Sequence, residues 1–366
     1  MEQSCVFTIV AKNYLSYART LMKSFASFHP EVRRFVLLAD RNDGWFDPGK
    51  EPFEVVEAHA LGIENFPSLA FKYNVVELST AVKPFFFKYL FSRYHFKDIL
   101  FFDPDILFFK GITEIFGLFD RYPLLLMPHI TRPIPDDGRF PDEHTVVKAG
   151  VFNLGFIGIA ASEETDALLQ WWCERLYDKC RYSPFVGYGV DQLWMNLVPG
   201  LCEDYLVLRQ PEYNVAYWNL HERAITKTEA GFVVNEKHPL VFFHFSGFDF
   251  DAPDMISRFQ DRFTIDSFPV LKELLYHYKD LLTQNGYPET RTFPYWYGSF
   301  TNGGRIPNVC RRIYWGLGKE AAKMGDPFSH FYWKLLSRCT MRAFFTKRFR
   351  SIALDQLLLY KDKSLR

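Results

Sequence analysis

The six cysteines of this 366-residue chain (Cys5, Cys173, Cys180, Cys202, Cys310 and Cys339) are scattered, and no two form a CxxC pair. That spacing argues against a structural zinc site or a dense disulfide framework, and it predicts free thiols in a reducing compartment. Charge of one sign is missing as well, since 43 basic residues balance 43 acidic ones. No global field therefore argues for a nucleic-acid partner. No run of about 18 uncharged apolar residues occurs, so no transmembrane helix is expected. The chain enters a strand pattern, CVFTIVA, at residue 5 without the basic and long apolar segments of a secretory leader. A cytoplasmic protein is the expectation. Internal repeats and low-complexity segments are also absent.

What the chain does have is bulk. It is 48% hydrophobic and 18% aromatic, with 39 Phe, 20 Tyr and 8 Trp. That is enough for a sizeable core in one large domain or two ordinary ones. Most of these rings belong in such a core, and any left exposed are suited to stacking on sugar rings.

Residues 98–109 read DILFFDPDILFF and carry the most information. An apolar run of β-formers reads as a strand buried on both faces. It ends abruptly in Asp103-Pro104-Asp105. Two carboxylates at a buried strand end are costly unless a cation or a hydrogen-bonding ligand meets them. Open α/β sheets bind ligands at the carboxyl ends of their strands. A divalent metal holding a diphosphate, with hard oxygen ligands, is one reading. A simple Asp-Pro turn is the other.

The flanking pattern is α/β. Strands are expected at 5–11, 34–39 and 53–58, with a helix over 15–28 between the first two, an order that implies a parallel sheet. A helix over 79–95 is expected to start at a Ser79 or Thr80 cap. A short helix near 112–120, a strand at 123–127 and a Pro/Asp/Gly-rich loop over 128–145 follow. An apolar strand at 151–160, a helix over 163–180, a helix start near Asp191, and strands at 205–208, 213–218 and 240–245 complete this part. The last strand runs into His244-Phe245-Ser246-Gly247. Composition shifts after about residue 290. Residues 305–366 hold fourteen lysines and arginines against four acids. Met341–Tyr360 can be drawn as a basic amphipathic helix, which fits either a solvated helical cap or a segment lying on an anionic membrane surface. The domain reading is 1–290 for the main domain and 291–366 for a helical, basic extension.

Five segments, taken in order, resemble a known family. They are an N-terminal strand followed by Asn13-Tyr14, Lys83 on the helix before the acidic strand, Asp103-x-Asp105, Phe152-Asn153-x-Gly155, and Asp191-Gln192 followed far downstream by His244-Phe245-x-Gly247. The set is similar to the GT-A fold nucleotide-sugar glycosyltransferases, most closely the retaining family 8 group that includes glycogenin and bacterial galactosyl- and glucosyltransferases. The resemblance covers roughly residues 5–250. It implies an α/β fold of Rossmann-like GT-A type, a mixed and mostly parallel sheet flanked by helices, with the helical basic C-terminal region added. It implies Mn²⁺ or Mg²⁺ held by Asp103, Asp105 and His244, with Asp103 also near the ribose. It places Thr8, Ala11, Asn13, Tyr14, Tyr17 and Lys83 on the nucleotide and phosphates of a UDP-sugar donor, with Gly155 and Gly247 beside them. Asp191, Gln192 and Asn153 would meet the transferred sugar. Partners implied are the nucleotide-sugar and a glycan, lipid-linked or protein acceptor, with peripheral contact at the inner face of the membrane through the basic tail.

One position departs from the pattern. The family often carries Lys three residues after the His-x-x-Gly glycine, where it neutralises the leaving phosphate; here Phe250 stands there, between Asp249 and Asp251. Either Lys148, Arg223 or Lys237 replaces it, or the donor sits differently. Tyr217, Trp218, Asn219 and His221 combine ring faces with polar tips, as an acceptor sugar requires, or form a packed strand. Arg305, Arg311 and Arg312 fit either a phosphate on the acceptor or a solvated basic face. Asp136, Asp137 and Asp142 are the candidate bases for an inverting reaction. Two rival classes remain. A sugar nucleotidyltransferase shares the paired carboxylates, but it carries a Gly-rich first turn where this chain has Ala11-Lys12-Asn13-Tyr14. A non-catalytic carbohydrate- or membrane-binding module leaves the placement of the acidic residues and His244 unexplained.

Overall fold

In a computed structural model, residues 3–184, 187–323 and 325–329 are described. The helix drawn over 341–360 lies outside them. Strand β1 (Ser4–Val10) is buried at every position. Its side chains alternate: Cys5, Phe7 and Ile9 face one hydrophobic layer, and Val6 and Val10 face the other. That two-sided burial is why the strand reads as one unbroken apolar run. Helix α1 (Leu15–Ala26) packs on the second layer through Leu15, Ala18, Leu21, Met22 and Phe25, which recur at helical spacing. β2 (Arg33–Leu38) and β3 (Glu54–Glu57) extend the parallel sheet to one edge.

The helix expected from Ser79 begins earlier and breaks in two. α2 (Phe66–Lys72) is followed by α3 (Val75–Ala81), whose cap is Asn74. The Asn74 carboxamide accepts the Glu77 N–H at 3.0 Å, and the Glu77 carboxylate accepts the Asn74 N–H at 3.1 Å. This reciprocal box satisfies two orphan donors. Ser79 and Thr80 sit inside α3, and their hydroxyls donate to the carbonyls of Val75 and Val76. α4 (Lys83–Tyr94) starts afresh because Pro84, in its first turn, has no N–H to give the preceding helix.

β4 (Asp98–Phe102) pairs in parallel with β1. β5 (Ile106–Phe108) leaves the sheet and pairs antiparallel with the Phe242–His244 strand. Next come α5 (Thr113–Leu118), β6 (Leu124–Pro128), α6 (Glu143–Ala149), β7 (Phe152–Ala160) and α7 (Glu163–Lys179). The seven-stranded sheet runs Tyr205–Val207, β6, β7, β4, β1, β2, β3. Within it β7 alone runs against the others. The chain is thus a mixed α/β fold whose mostly parallel central sheet is flanked by helices on both faces.

The expected strand at 213–218 does not form. Asn214 adopts φ +52°, which interrupts extended backbone, and only Val215 bridges to Phe243. Tyr217–Asn219 then closes a 3₁₀ turn in which the Asn219 side chain accepts the Ala216 N–H. Arg311 and Arg312, read as phosphate contacts or a solvated face, are instead buried. The Arg311 guanidinium donates to the carbonyls of Ala70, Phe71, Tyr73 and Tyr297. Arg312 pairs with Glu77 at 2.9 Å. The Asn308–Leu317 helix that carries them packs Cys310, Ile313 and Tyr314 into the layer above α2.

Candidate metal centre and cleft

Three backbone ties gather the acidic pair and His244 at one end of the sheet. The Asp103 N–H donates to the Gly155 carbonyl of β7, and the Phe245 N–H donates to the Asp105 carbonyl, both at 2.8 Å. Register places His244 opposite Ile106 on β5. His244 Nε2 lies 3.0 Å from Asp105 Oδ1 and 3.7 Å from Asp103 Oδ2. One ligand atom from each of the three residues falls within a 4.8 Å span, the compactness a single cation requires.

The imidazole is aimed by a chain of amides. Asn214 Oδ1 faces His244 Nδ1 at 3.2 Å, while Asn214 Nδ2 donates to Asn153 Oδ1 at 3.0 Å. Asn153 Oδ1 also accepts the Gly155 N–H, and Asn153 Nδ2 faces His129 Nε2 at 3.3 Å. The amide of Asn214 spends its donor on Asn153, so its oxygen is the group left for His244, and Nδ1 carries the proton. In the metal-free protein Nε2 donates its own proton to Asp105 at 3.0 Å; a cation would displace that proton and take the Nε2 lone pair, with Nδ1–H still held by Asn214. Burial pushes His129 down to about 4, so it stays neutral and accepts the Asn153 amide.

Charge is concentrated here. Burial raises the Asp103 carboxyl to about 6, although Lys83 and His244 act to lower it. Burial acts to lower His244, but the Asp105 and Asp103 carboxylates outweigh it and its pKa is raised. A carboxylate pair held this way, together with an imidazole lone pair, fits Mn²⁺ or Mg²⁺. Lys83, which the resemblance places on the phosphates, is 2% exposed. Its ammonium lies 2.6 Å from Asp191 Oδ2 and donates to the Leu154 carbonyl at 3.0 Å. Asp191 precedes the short Gln192–Met195 helix but makes no side-chain cap there. Gln192 accepts the Leu154 N–H at 2.9 Å and donates to the Ala149 carbonyl at 2.8 Å, bridging β7 and the end of α6.

A cleft of about 560 Å³ opens over the triad. Besides Asp103, Asp105 and His244 it is lined by Asn153, Gln192, Tyr182, Tyr217, Trp218, Arg258 and Phe259, among others. Asp191 and Lys83 stand behind this wall. Of the acceptor candidates, Tyr217 and Trp218 reach the cleft. Asn219 instead donates to the carbonyls of His129 and Asn214, and His221 contacts the Arg132 carbonyl. The nucleotide candidates lie at the end of β1. Tyr14, 42% exposed, stacks on Tyr17 with centroids 4.6 Å apart. Thr8 Oγ1 and Asn13 Oδ1 are enclosed and have no hydrogen-bond partner among the described residues. Ala11 is buried beside them.

Gly247 (φ +73°) leaves room for a neighbouring turn. A Cβ there would come within 2.4 Å of Ser257 Oγ and 2.6 Å of Phe259 Cδ2. Phe250 stacks on Tyr287 at 4.0 Å, and Asp251 is paired with Arg291 at 2.9 Å. Asp137 is paired with Arg262, and Asp142 caps α6. Sequence reasoning missed His129, Asn214 and Arg258. His129 directly follows β6 at a strand end, which was a usable signal; nothing in the sequence marks the other two.

No protein-family model matches the chain. The uncharacterized protein YfnF of Bacillus subtilis (strain 168) is 23% identical over 276 residues, 74% of this chain and 90% of YfnF. The uncharacterized protein YfnD of the same strain is 28% identical over 182 residues, 47% of this chain and 54% of YfnD. Among solved structures, the glycosyltransferase GlyE of Streptococcus pneumoniae TIGR4 is similar at 15% identity and a TM-score of 0.43, over 81% of this chain and 67% of GlyE. The galactosyltransferase LgtC, in complex with donor and acceptor sugar analogues, is similar at 14% identity and a TM-score of 0.40, over 76% of this chain and 95% of LgtC.

Proposed function

We propose that the chain is a metal-dependent glycosyltransferase that moves a hexose from a nucleotide-sugar, a UDP-sugar first, to a glycan, lipid-linked or protein acceptor with retention. The observation that carries this reading is the convergence of Asp103, Asp105 and His244 within 4.8 Å in the lining of an aromatic-rich cleft. Asp103, Asp105 and His244 would hold Mn²⁺ or Mg²⁺, which when bound supplies Lewis-acid stabilisation to the charge building on a departing diphosphate.

The chain's own residues do the rest. Asn153 and Gln192 offer amides to the donor hexose from a wall fixed by β7. Asp191, behind that wall and paired with Lys83 at 2.6 Å, stabilises positive charge at the anomeric centre. Tyr217 and Trp218 offer ring faces to the acceptor. Thr8, Ala11, Asn13, Tyr14 and Tyr17 hold the nucleotide. Asp137 and Asp142, two of the candidate inverting bases, are already engaged by Arg262 and by the α6 cap; this supports retention, in which the leaving phosphate accepts the proton. Among the described residues no helix is long and apolar enough to cross a membrane. The setting we assign is the cytoplasm, peripheral at the inner face of the membrane, with residues 291–366 as the basic extension.

The test is hydrolysis of a panel of nucleotide-sugars with and without Mn²⁺. Metal-dependent release of a nucleoside diphosphate, lost in Asp105→Ala, is expected, with proton NMR giving the anomer of the first-formed product. Release of pyrophosphate instead would replace this reading with nucleotidyl transfer.

A further inference from the structure

The geometry points to Arg258 as the residue that neutralises the donor diphosphate, in place of the cation that position 250 lacks. This rests on the donor reading above. The argument begins with charge. Two carboxylates and a nucleoside diphosphate bring more negative charge into the cleft than one divalent cation cancels, and uncompensated charge in a partly dry site is costly. The nearby ammonium groups are already committed. Lys83 is paired with Asp191 at 2.6 Å and Lys12 with Asp40 at 3.1 Å, both buried. Arg223, one sequence candidate, is buried against the Tyr213 carbonyl and Glu222.

Arg258 is the only lysine or arginine lining the cleft among the described residues. No carboxylate among those residues forms an ion pair with it. Its guanidinium lies 5.0 Å from the centre of the Phe259 ring, itself a cleft-lining side chain. Arg258 thus shares one cleft lining with Asp103, Asp105 and His244.

The segment that carries Arg258 is fastened to the metal-ligand strand. The Arg258 N–H donates to the Gly247 carbonyl at 3.1 Å, and Ser257 Oγ donates to the Ser246 carbonyl at 2.8 Å. Gly247 makes this possible, because any side chain there would strike Ser257 and Phe259. The glycine of the His-x-x-Gly motif thus docks the turn that brings in the cation. A guanidinium suits the task, since its fork matches phosphate oxygens in pairs.

The experiment is calorimetric titration of the full chain with the four nucleoside diphosphates and their monophosphates, in the presence of Mn²⁺, for wild type, Arg258→Ala, Arg258→Lys and Asp105→Ala. Arg258→Ala is expected to weaken the diphosphate that wild type holds best by about tenfold to a hundredfold, the worth of charge-assisted hydrogen bonds. Its affinity for the monophosphate and its melting temperature stay near wild type, and Arg258→Lys recovers part of the loss. Equal diphosphate affinity in Arg258→Ala and wild type overturns the assignment and leaves the donor reading intact. Equal losses for mono- and diphosphate, or a lowered melting temperature, overturn it in favour of a structural role. No diphosphate binding by wild type overturns the donor reading and this assignment together.

Discussion

Gly155 holds open the space that His244 fills. A Cβ on Gly155 would lie 2.4 Å from His244 Cε1 and 2.8 Å from Nδ1, closer than real contacts allow. The glycine is also tied to both other sides of the site: its carbonyl accepts the Asp103 N–H and its own N–H reaches Asn153. Gly155→Ala should therefore displace the imidazole while leaving the sheet intact. The expected result is a loss of Mn²⁺ affinity of about tenfold to a hundredfold, the usual cost of disturbing what orients a ligand. Calorimetry with Mn²⁺ checks it, and circular dichroism should match wild type.

Asn214 acts on the same imidazole from the opposite side. Asn214→Ala removes the acceptor of the Nδ1 proton and frees the ring to adopt the other tautomer, in which Nε2–H would point at the carboxylates. A tenfold to hundredfold fall in Mn²⁺ affinity, on the order of other outer-shell losses, is expected. Asn214→Asp keeps an acceptor at Oδ1 and should recover part of it. Equal affinity in all three proteins would show that the amide chain does not aim the ligand.

The contrast between Gly155 and Asn214 explains what the sequence could tell. Gly155 stands in a local Asn-x-Gly motif on a strand with an unbroken apolar pattern, and the strand follows from residues near in sequence. The sheet, α1, α7 and the acidic turn are legible for the same reason. Asn214 belongs to a run, PEYNVAYW, whose alternation reads as a strand. One residue at φ +52° turns it instead into a brace for His244. Its partners Asn153 and His244 are 61 and 30 residues away, and no local pattern encodes such a meeting. Arg258 is hidden in the same way, as an ordinary surface arginine by sequence that is brought to the cleft by Gly247. The buried arginines at 311 and 312 mislead in the opposite sense, since a basic run reads as solvated until backbone carbonyls and Glu77 are seen to receive it.

The pH dependence of metal binding follows from Asp103. In the unfolded chain an aspartate titrates near 3.9, while in the folded metal-free protein burial raises Asp103 to about 6. Between these values the folded state holds a proton that the unfolded state has lost. The metal-free protein is therefore stabilised by this group at low pH and loses that contribution as pH rises through about 6. A bound cation reverses the preference, because it requires the ionised carboxylate and the neutral imidazole. The Mn²⁺-induced rise in melting temperature should be small at low pH and grow as pH rises through about 6. Thermal denaturation across pH with and without Mn²⁺ measures it. A shift that stays constant across this range would mean that Asp103 is not a ligand.

Lys83 and Asp191 separate stability from activity. Both are almost wholly buried and their charged atoms lie 2.6 Å apart. Removing one partner strands the other charge, at a cost of about 3–5 kcal/mol. Lys83→Met should show that loss in urea denaturation. Replacing both, as Lys83→Met with Asp191→Leu, removes the pair together and should recover most of the stability, as apolar substitutes for buried pairs often do. Transfer activity should not return with it. The double variant lacks the carboxylate that we place behind the anomeric centre, and the ammonium whose charge helps hold Asp103 ionised. Recovery of both stability and turnover would reduce the pair to a packing element, and recovery of neither would show that the cavity cannot accept apolar side chains.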